Sequence, residues 1–466
     1  MLKRKIYDML LQWKNRKDKK CLLVKGARQI GKTFIIREFG KTEYENYIEI
    51  NFLKYPEFKA IFDGALTADV IYANMSLYNP EWNFVKGKTL VFLDEIQECP
   101  NARAALKFLT TDGRYDVIAS GSLLGISFKK VPSIPVGYET QINMYPLDFE
   151  EYLWTKGYTE EHIKLLRNAF DTKEKINTAV NDTLLSIVRE YIAVGGMPEV
   201  INTFLDTENY REVYEMQNMI LNSYYDDISQ YSEPYEKPKI KKCYQSMPAQ
   251  LAKENKKFQY STVEKGTSAR KFGNSIEWLR NAGLIHLCTN VSTPTFPLAA
   301  YDNSDYFKAY MSDTGLLTAL YGFDLKKSII TNTLTGPMKG GLYENFVALQ
   351  LISKDSHLHY YKAQNGDVEI EFLIEREGKV IPVEVKAGNS SSKSLNSVLK
   401  REDIPFGYKL ISGNTGSIEK KISLPLYMSA NSGGADAEQR HFWNRCDGVH
   451  DGSISAPISI PFFQLI

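Results

Sequence analysis

The stretch GARQIGKT, which runs from Gly26 to Thr33, has the residue types and spacing of a phosphate-binding loop. A buried strand, CLLVK, precedes it and a helical segment, FIIREF, follows it. The loop glycines let successive backbone N–H groups point at one anion, and the helix dipole favours the same charge. We therefore predict an ATP site in which Lys32 reaches the β- and γ-phosphates and Thr33 ligates Mg²⁺. Its residues are Gly26, Ala27, Arg28, Gln29, Ile30, Gly31, Lys32 and Thr33.

An acidic pair follows the buried run TLVFL and forms a second candidate site. Asp94 and Glu95 stand at the carboxyl end of the predicted strand, the edge at which ligands bind in such sheets. Asp94 suits a Mg²⁺ site shared with Thr33, and Glu95 suits polarisation of an attacking water. Ser122 ends the next strand, VIASGS, and is the candidate γ-phosphate sensor, although small residues also end strands without such a role. Three arginines are either transition-state cations or ordinary surface residues: Arg28, Arg103 and Arg114.

Bulk properties limit the class of protein. The length of 466 residues suggests roughly two to four domains. Because 57 Lys and Arg residues balance 56 Asp and Glu residues, a globally basic nucleic-acid binder is disfavoured, but a local basic patch is not. The five cysteines have no CxxC-type spacing, which predicts scattered thiols in a reducing cytoplasm. No apolar run reaches about 18 residues, so we expect a cytoplasmic protein without a membrane span.

Hydrophobic patterning predicts the elements that position these residues. Over the first 150 residues, strand-like runs alternate with helical segments, which indicates a mostly parallel sheet with helices on both faces. Helical periods then dominate to about Gly283, where a helix runs into a strand. After Gly341 a helix, three strands and a further helix follow. The hydrophobic pattern of the chain therefore changes twice, at about residues 146 and 341.

With these motifs in hand, the chain resembles the bacterial and archaeal AAA-type ATPases that carry a C-terminal domain of unknown function. The matching motifs appear in family order across about residues 1–428. Two features depart from the family pattern: Tyr138 follows Gly137 where relatives usually place a basic residue, and the tail has no family counterpart. The motifs are GARQIGKT, FLDEIQECP, SGSLLG, MYPLDFEEYL, YIAVGGMPEV, FKAYMSDTGLL, LYENFVALQL and IPVEVKAG.

The resemblance implies an α/β protein with ATP and Mg²⁺ as ligands. A P-loop AAA-type ATPase core with a parallel sheet is expected in residues 1–150, and a helical lid or linker in 151–230. A winged-helix-like domain is expected in 231–335, and an α/β restriction-endonuclease-like domain of the PD-(D/E)xK type in 336–428. Residues 429–466 lack periodicity and are expected to form a loosely attached tail.

The nuclease-like region contains the residue types of a metal-dependent nuclease centre in the family's order. Glu384 and Lys386 form an E-x-K and share one face of a strand, because side chains alternate. Glu371 lies on the preceding strand, and Glu344 on the helix before it supplies another carboxylate. Relatives usually have Asp where this chain has Glu371, although Glu369 and Asp367 lie on the same face and could compensate. The alternatives are a solvated strand pair or a nuclease fold without chemistry.

A lysine-rich stretch between residues 237 and 280 is the candidate surface for DNA or RNA. Phe258 and Tyr260 are interleaved with its basic residues, whereas Trp278 suits a core position. A solvated charged face is the alternative. The basic residues are Lys237, Lys239, Lys241, Lys242, Lys253, Lys256, Lys257, Arg270, Lys271 and Arg280.

Three functional hypotheses follow from these motifs. The first is an ATPase whose nucleotide cycle is coupled to nucleic-acid engagement through the winged-helix and nuclease-like modules. The second is a nucleotide-switched scaffold with a catalytically inactive nuclease fold. The third is a transcription regulator, which would need a basic recognition helix and no metal site. Oligomer formation is compatible with each of them.

Overall fold

The computed structural model describes residues 2–123, 137–354, 357–364, 366–388 and 391–431. The expected tail lies outside the described residues from position 432 onward. Within the described ranges, no helix combines the length and the apolar character needed to cross a lipid bilayer.

The first sheet has five parallel strands in the order β2-β3-β4-β1-β5. This arrangement confirms the expected α/β fold with a parallel sheet. Alternate residues of β1 face opposite cores, with Leu22 and Val24 on one side and Leu23 on the other. The carboxyl ends of β1, β4 and β3 meet at one edge. The strands are β1 (Cys21–Gly26), β2 (Asn46–Asn51), β3 (Thr89–Asp94), β4 (Asp116–Ser122) and β5 (Glu139–Asn143).

Helices cover both faces of this sheet, as the nearly continuous apolar strands require. Trp13 of the first helix is buried in one core, and Leu106 of the fourth is buried in the other. The helices are α1 (Lys5–Lys14), α2 (Lys32–Glu43), α3 (Ala68–Tyr78) and α4 (Pro100–Asp112), with 3₁₀ turns at Pro56–Phe62 and Ile96–Glu98.

The middle of the chain is helical up to Asn281, in agreement with its 3.6-residue apolar period. Its first helix begins with a capping box, in which Asp148 accepts from the Glu151 backbone and Glu151 accepts from the Asp148 backbone. The helices are α5 (Phe149–Thr155), α6 (Glu160–Thr172), α7 (Thr178–Val194), α8 (Pro198–Thr207), α9 (Tyr210–Tyr231), α10 (Lys237–Gln245), α11 (Met247–Leu251), α12 (Tyr260–Val263) and α13 (Ala269–Asn281).

The second sheet has eight strands in the order β12-β13-β11-β10-β9-β8-β6-β7. Strands β6 and β7 come from the region predicted as winged-helix-like, yet β6 pairs in parallel with β8 of the C-terminal region. The sheet therefore runs across the predicted boundary at residues 335/336, which stays a prediction. The strands are β6 (Ile285–Val291), β7 (Asp302–Met311), β8 (Leu358–Lys362), β9 (Glu369–Arg376), β10 (Lys379–Lys386), β11 (Gly407–Ile411), β12 (Gly416–Ile418) and β13 (Lys421–Pro425).

Four further helices accompany the second sheet. The helix Gly336–Ile352 is buried along most of its length because it packs between the sheet and the middle helices. Two 3₁₀ turns, Leu298–Tyr301 and Leu426–Asn431, complete the described elements of this part. The helices are α14 (Thr314–Tyr321), α15 (Phe323–Ile330), α16 (Gly336–Ile352) and α17 (Lys393–Val398).

Three of the sequence motifs, LDFEEYL, YIAVGGMPEV and MSDTGLL, contact one another in the protein interior. The Asp313 carboxylate caps α14 through the Leu316 amide at 2.8 Å and accepts from the Gly196 amide at 2.6 Å. A side chain at Gly196 would place its Cβ 2.2 Å from the Leu147 carbonyl oxygen. Tyr191 donates to that same oxygen at 2.6 Å. The motifs LDFEEYL, YIAVGGMPEV and MSDTGLL are thus explained by packing between the core and the middle helices.

Candidate functional site

The loop Gly26–Thr33 joins the end of β1 to the start of α2 and depends on its two glycines. A Cβ at Gly26 would lie 2.3 Å from the Met144 carbonyl oxygen, so a larger residue does not fit. Gly31 has φ +92°, in the left-handed region that L side chains rarely adopt. Both positions therefore favour glycine, and the loop leads directly into the N-terminus of α2, the end of a helix that favours an anion.

Lys32 is buried in this loop and turned toward the loop's own backbone. Its Nζ donates to the Gly26 carbonyl at 3.1 Å and to the Ala27 carbonyl at 2.7 Å. Burial lowers the pKa of Lys32 to about 8, although Glu95 and Asp94 act in the opposite direction. The loop thus holds an amine whose partners are neutral carbonyl groups, a suitable starting point for binding an anion.

The Asp94 carboxylate is the centre of a polar cluster at the sheet edge. It accepts a hydrogen bond from the Thr33 hydroxyl at 3.0 Å, from the Asn51 amide at 2.7 Å, and from the Ser120 hydroxyl. Burial raises the pKa of Asp94, and the Ser120 hydrogen bond opposes this. Ser120 is thus a β4 residue that contacts Asp94, and the sensor role of Ser122 stays a prediction.

Asn51 did not stand out in the sequence, although a signal was present. It ends β2 and pairs in register with Asp94 at the end of the adjacent parallel strand. Polar residues that end neighbouring parallel strands meet at one edge of the sheet.

Glu95 follows Asp94 in a left-handed conformation, with φ 53°. This conformation costs a non-glycine residue about 1 kcal/mol or more, and such outliers cluster at functional sites. The Glu95 carboxylate accepts a hydrogen bond from the Gln97 amide. Its charge opposes the lowering of the Lys32 pKa by burial, and it adds to the raised pKa of Asp227 on α9. The carboxylate therefore lies within electrostatic reach of the loop and of that helix.

The oxygen donors around Asp94 are of the kind that Mg²⁺ prefers. Thr33 and Asp94, the two ligands expected from the sequence, are in direct contact. In the part of the chain that the structure describes, no group of three or more His, Cys, Asp and Glu side chains is arranged to hold a metal ion. A P-loop metal site does not need such a group, because most of its ligands come from phosphates and water.

The three candidate arginines all have ion-pair partners. Arg28 contacts Asp227, and Arg103 makes a two-pronged pair with Glu139. The remaining one, Arg114, contacts Asp69 and Asp112. In this conformation, each of these guanidinium groups is held by a carboxylate of the same chain.

The four residues of the predicted nuclease centre lie together on α16, β9 and β10. Lys386 Nζ is 3.3 Å from a Glu371 oxygen and 3.5 Å from a Glu384 oxygen. Burial, together with Glu344, raises the pKa of Glu371 to about 7, although Lys386 opposes the shift. The second Glu384 oxygen is buried without a hydrogen-bond partner among the described residues. The sequence order therefore corresponds to a real cluster of charges.

Two buried lysines that the sequence did not suggest for this centre also belong to the cluster. Lys256 Nζ lies 2.7 Å from Glu344, and Lys308 Nζ lies 2.7 Å from Glu369 and 3.8 Å from Glu344. Glu369 is paired with Lys362 as well, at 2.7 Å. Burial alone would raise the pKa of Glu369, but the two lysines lower it to about 2. In this conformation lysines, rather than open coordination positions, surround Glu344 and Glu369, which disfavours Mg²⁺ at these two carboxylates.

The lysine-rich region is partly neutralised within the chain. Lys242 and Lys271 both pair with Glu264. Lys253 donates to Gln259 and Thr262, and Phe258 and Trp278 are core residues. Six basic residues between positions 237 and 280 have no ion pair among the described residues: Lys237, Lys241, Lys253, Lys257, Lys265 and Arg270. The paired residues are Lys239 with Glu236, Lys256 with Glu344, and Arg280 with Glu277.

Comparison with known families divides the chain into three matched segments. Residues 18–153 match the model of an AAA domain. Residues 185–327 and 339–426 match two domains of unknown function, DUF8612 and DUF4143. The first segment contains the phosphate-binding loop and the Asp94 cluster, so the chain carries a P-loop domain of the AAA type. The C-terminal match names no fold, and the nuclease-like assignment stays a prediction.

Two solved structures to which the chain is similar share little sequence with it. A Walker-type ATPase of Pyrococcus abyssi is 13% identical, with a TM-score of 0.41, over 69% of this chain and 96% of that protein. Cdc6p of Pyrobaculum aerophilum is 13% identical, with a TM-score of 0.25, over 70% of this chain and 93% of that protein. Neither likeness is close enough to transfer an activity. No curated protein matches the sequence significantly.

Proposed function

We propose that the chain binds ATP with Mg²⁺ at the loop Gly26–Thr33 and hydrolyses its terminal phosphoanhydride bond. The observation that carries the proposal is the 3.0 Å contact between the Thr33 hydroxyl and the Asp94 carboxylate, beside the buried Lys32. The match of residues 18–153 to an AAA domain supports it. Release of phosphate from Mg·ATP by the purified chain tests the proposal, and turnover that persists in EDTA would contradict it.

Each residue of the site has a separate role in this reaction. Lys32 exchanges the two loop carbonyl groups for phosphate oxygens, and the loop amides bind the same anion. Thr33 and Asp94 hold Mg²⁺, which neutralises charge on the phosphate oxygens when bound. Glu95, next to Asp94, polarises the attacking water. Ser122 is the proposed γ-phosphate sensor, with Ser120 and Asn51 orienting Asp94.

The lowered pKa of Lys32 predicts that ATP binding weakens as the pH rises above about 8. A bound polyphosphate stabilises the ammonium form, so the pKa is higher in the complex than in the free loop. Below pH 8 the free loop already holds the proton. Above it, binding takes up a proton, and Kd rises by up to about tenfold per pH unit.

Calorimetry of Mg·ADP binding at pH 9, in buffers with different ionisation enthalpies, measures this proton uptake. A Lys32→Arg variant is the matched control, because its guanidinium does not titrate in this range. We expect an uptake approaching one proton for the wild type and much less for the variant. Equal uptake by both proteins would show that another group is responsible.

We further propose that the nucleotide cycle is coupled to engagement of DNA or RNA by the middle and C-terminal regions. The basic residues without ion pairs are the candidate contacts; Lys265 and Arg270 among them are exposed. A continuous core that includes residues of β1, α9, α13 and β10 supports mechanical coupling between the regions. A winged-helix-like arrangement of the middle region belongs to this proposal.

The second candidate function is a nucleotide-switched scaffold whose nuclease-like fold has no cleavage activity. The observation that favours it is the pairing of Glu344 and Glu369 with the buried Lys256 and Lys308. In this alternative, Glu371, Glu384 and Lys386 stabilise the sheet instead of holding a metal ion. The two candidates share the ATP site and differ in what the C-terminal region does.

One experiment separates these candidates. ATP turnover and cleavage of duplex DNA and single-stranded RNA are measured with wild type, a Lys265→Glu/Arg270→Glu double variant and Lys386→Ala. Nucleic-acid coupling predicts stimulated turnover by wild type and Lys386→Ala, with severalfold less stimulation of the double variant. An inactive nuclease predicts the same background cleavage for wild type and Lys386→Ala. If nucleic acid neither binds nor stimulates turnover, the coupling proposal fails and the scaffold function is the remaining candidate. If wild type cleaves nucleic acid and Lys386→Ala does not, the C-terminal region is a nuclease.

A further inference from the structure

The long helix α9 contacts the phosphate-binding loop through its C-terminal half. The Asp227 carboxylate pairs with the Arg28 guanidinium, which also donates to the Tyr231 hydroxyl at 2.9 Å. The Tyr231 ring lies 5.3 Å from the guanidinium carbon. Tyr224 donates a hydrogen bond to the Arg28 carbonyl at 3.2 Å. Both the side chain and the backbone of Arg28 are thus held by one helix.

The Asp227 carboxylate is an unusual partner because it is buried. Only 3% of the residue is exposed, and its second oxygen has no hydrogen-bond partner among the described residues. Burial raises the pKa of Asp227 to about 6, Arg28 opposes this shift, and the charges of Asp226 and Glu95 add to it. The ionised form therefore depends strongly on Arg28, and the negative charge of Glu95 is close by.

We infer that Asp227 is a positioning residue that holds Arg28 in the nucleotide-free loop, and that a bound nucleoside triphosphate takes Arg28 over from it. The inference rests on the proposed ATP site. Phosphate oxygens accept the same forked pair of guanidinium hydrogen bonds as a carboxylate and carry more negative charge. The triphosphate would also lie near Asp227 and Glu95, so repulsion favours the exchange.

The exchange has a consequence for the rest of the molecule. Without Arg28, Asp227 is a buried carboxylate without a cation, and the end of α9 loses its ion pair with the loop, while the Tyr224 contact with the Arg28 backbone can stay. Residues of α9 and α10 share one hydrophobic core, and α10 begins the lysine-rich region. The occupancy of the loop would thereby change the position of a helix outside the ATPase core.

An Asp227→Asn variant tests the inference, with Asp226→Asn as its control. Asp226 is the neighbouring residue on the same helix and is exposed. Affinity for Mg·ATP is measured by calorimetry in a Glu95→Gln background, which prevents turnover. Hydrogen exchange of the α9 amides is followed with and without Mg·ATP. A Tyr231→Phe variant, which removes one hydrogen bond and no charge, covers the case in which Asp227→Asn does not fold.

In the Glu95→Gln protein with Asp227 intact, we expect Mg·ATP to accelerate exchange near the end of α9. Asp227→Asn should exchange fast without nucleotide and bind Mg·ATP about five- to tenfold more tightly. Tyr231→Phe should shift both quantities in the same direction by less, and Asp226→Asn should shift neither. A merely structural role for Asp227 predicts weaker binding, which would overturn the inference. Binding without any change in α9 exchange would also overturn it, whereas absence of binding would contradict the proposed ATP site itself.

Discussion

A Lys32→Ala variant should lose ATP turnover by about a hundredfold or more, and its Kd for Mg·ATP should rise sharply. The Lys32 amine is buried and already points across the loop, where carbonyl oxygens hold it at 2.7 and 3.1 Å. Truncation removes the positive charge that neutralises the β- and γ-phosphates and leaves these carbonyl groups to face the anion. Phosphate release and binding of a fluorescent ATP analogue measure the two effects.

A Glu95→Gln variant makes this result specific. Glutamine keeps the size of Glu95 and removes the carboxylate that polarises water, so turnover should fall while Mg·ATP binding persists. Loss of both functions in Lys32→Ala, with loss of turnover alone in Glu95→Gln, would separate nucleotide binding from catalysis. Thermal unfolding of both variants controls for folding. Unchanged turnover in Lys32→Ala would refute the assignment of the loop.

The loop and its acidic partner could be predicted because their chemistry is local in sequence. Gly31 needs a left-handed backbone, and Lys32 follows it at the start of a helix, so spacing alone specifies the geometry. Asp94 needed one further assumption, that a buried run before it forms a strand, and β3 has that form. These features follow from backbone conformation, which short segments determine.

The partners of these residues could not be predicted in the same way. Asp227 is 199 residues from Arg28 in the chain, and no spacing rule connects a loop arginine to one carboxylate among many. Lys256 was predicted as part of a basic surface and Lys308 was not singled out in the sequence, yet both are buried beside Glu344. Such contacts depend on how separate elements pack, which a single sequence does not encode locally.

The second sheet illustrates the same limit at a larger scale. Strands β6, β8, β9 and β10 agree with apolar runs in the sequence, whereas β7, β11 and β12 were not predicted. The parallel pairing of β6 with β8 joins two regions that the sequence pattern divides. Helix α16 separates the two strands in sequence and packs beside them, as a crossover connection requires. The change in sequence pattern at about residue 341 lies inside this helix, which begins at Gly336, and does not mark the limit of the sheet.

A Lys308→Met variant should lower the free energy of unfolding by about 3–5 kcal/mol. Lys308 is 1% exposed, and burial alone would lower its pKa, but Glu344, Glu369 and Glu371 raise it beyond the ordinary value. The ammonium group is therefore the cation that stabilises several buried carboxylates, and methionine fills the space without replacing the charge. Urea denaturation at neutral pH measures the loss.

A matched control separates burial from charge. Lys362→Met removes the other lysine of Glu369, but this side chain is 29% exposed and should cost about 1 kcal/mol or less. Adding Glu369→Gln to Lys308→Met should recover part of the loss, by about 1–3 kcal/mol, because one unpaired carboxylate is then removed. A loss below about 1 kcal/mol for Lys308→Met would contradict the central role of this lysine.

The same denaturation measurement, repeated with Mg²⁺, tests whether the C-terminal carboxylate cluster binds a metal ion. A carboxylate site that binds Mg²⁺ in the folded state would stabilise the wild type as the metal concentration rises. If Lys256 and Lys308 provide the positive charge, millimolar Mg²⁺ should leave the stability of a Lys32→Ala/Asp94→Asn background unchanged, since its ATP site is disabled. Stabilisation by Mg²⁺ in that background, lost on Glu384→Gln, would instead assign a metal site to the C-terminal region. The lysines would then have to move away from the carboxylates, and the nuclease hypothesis would gain the observation it now lacks.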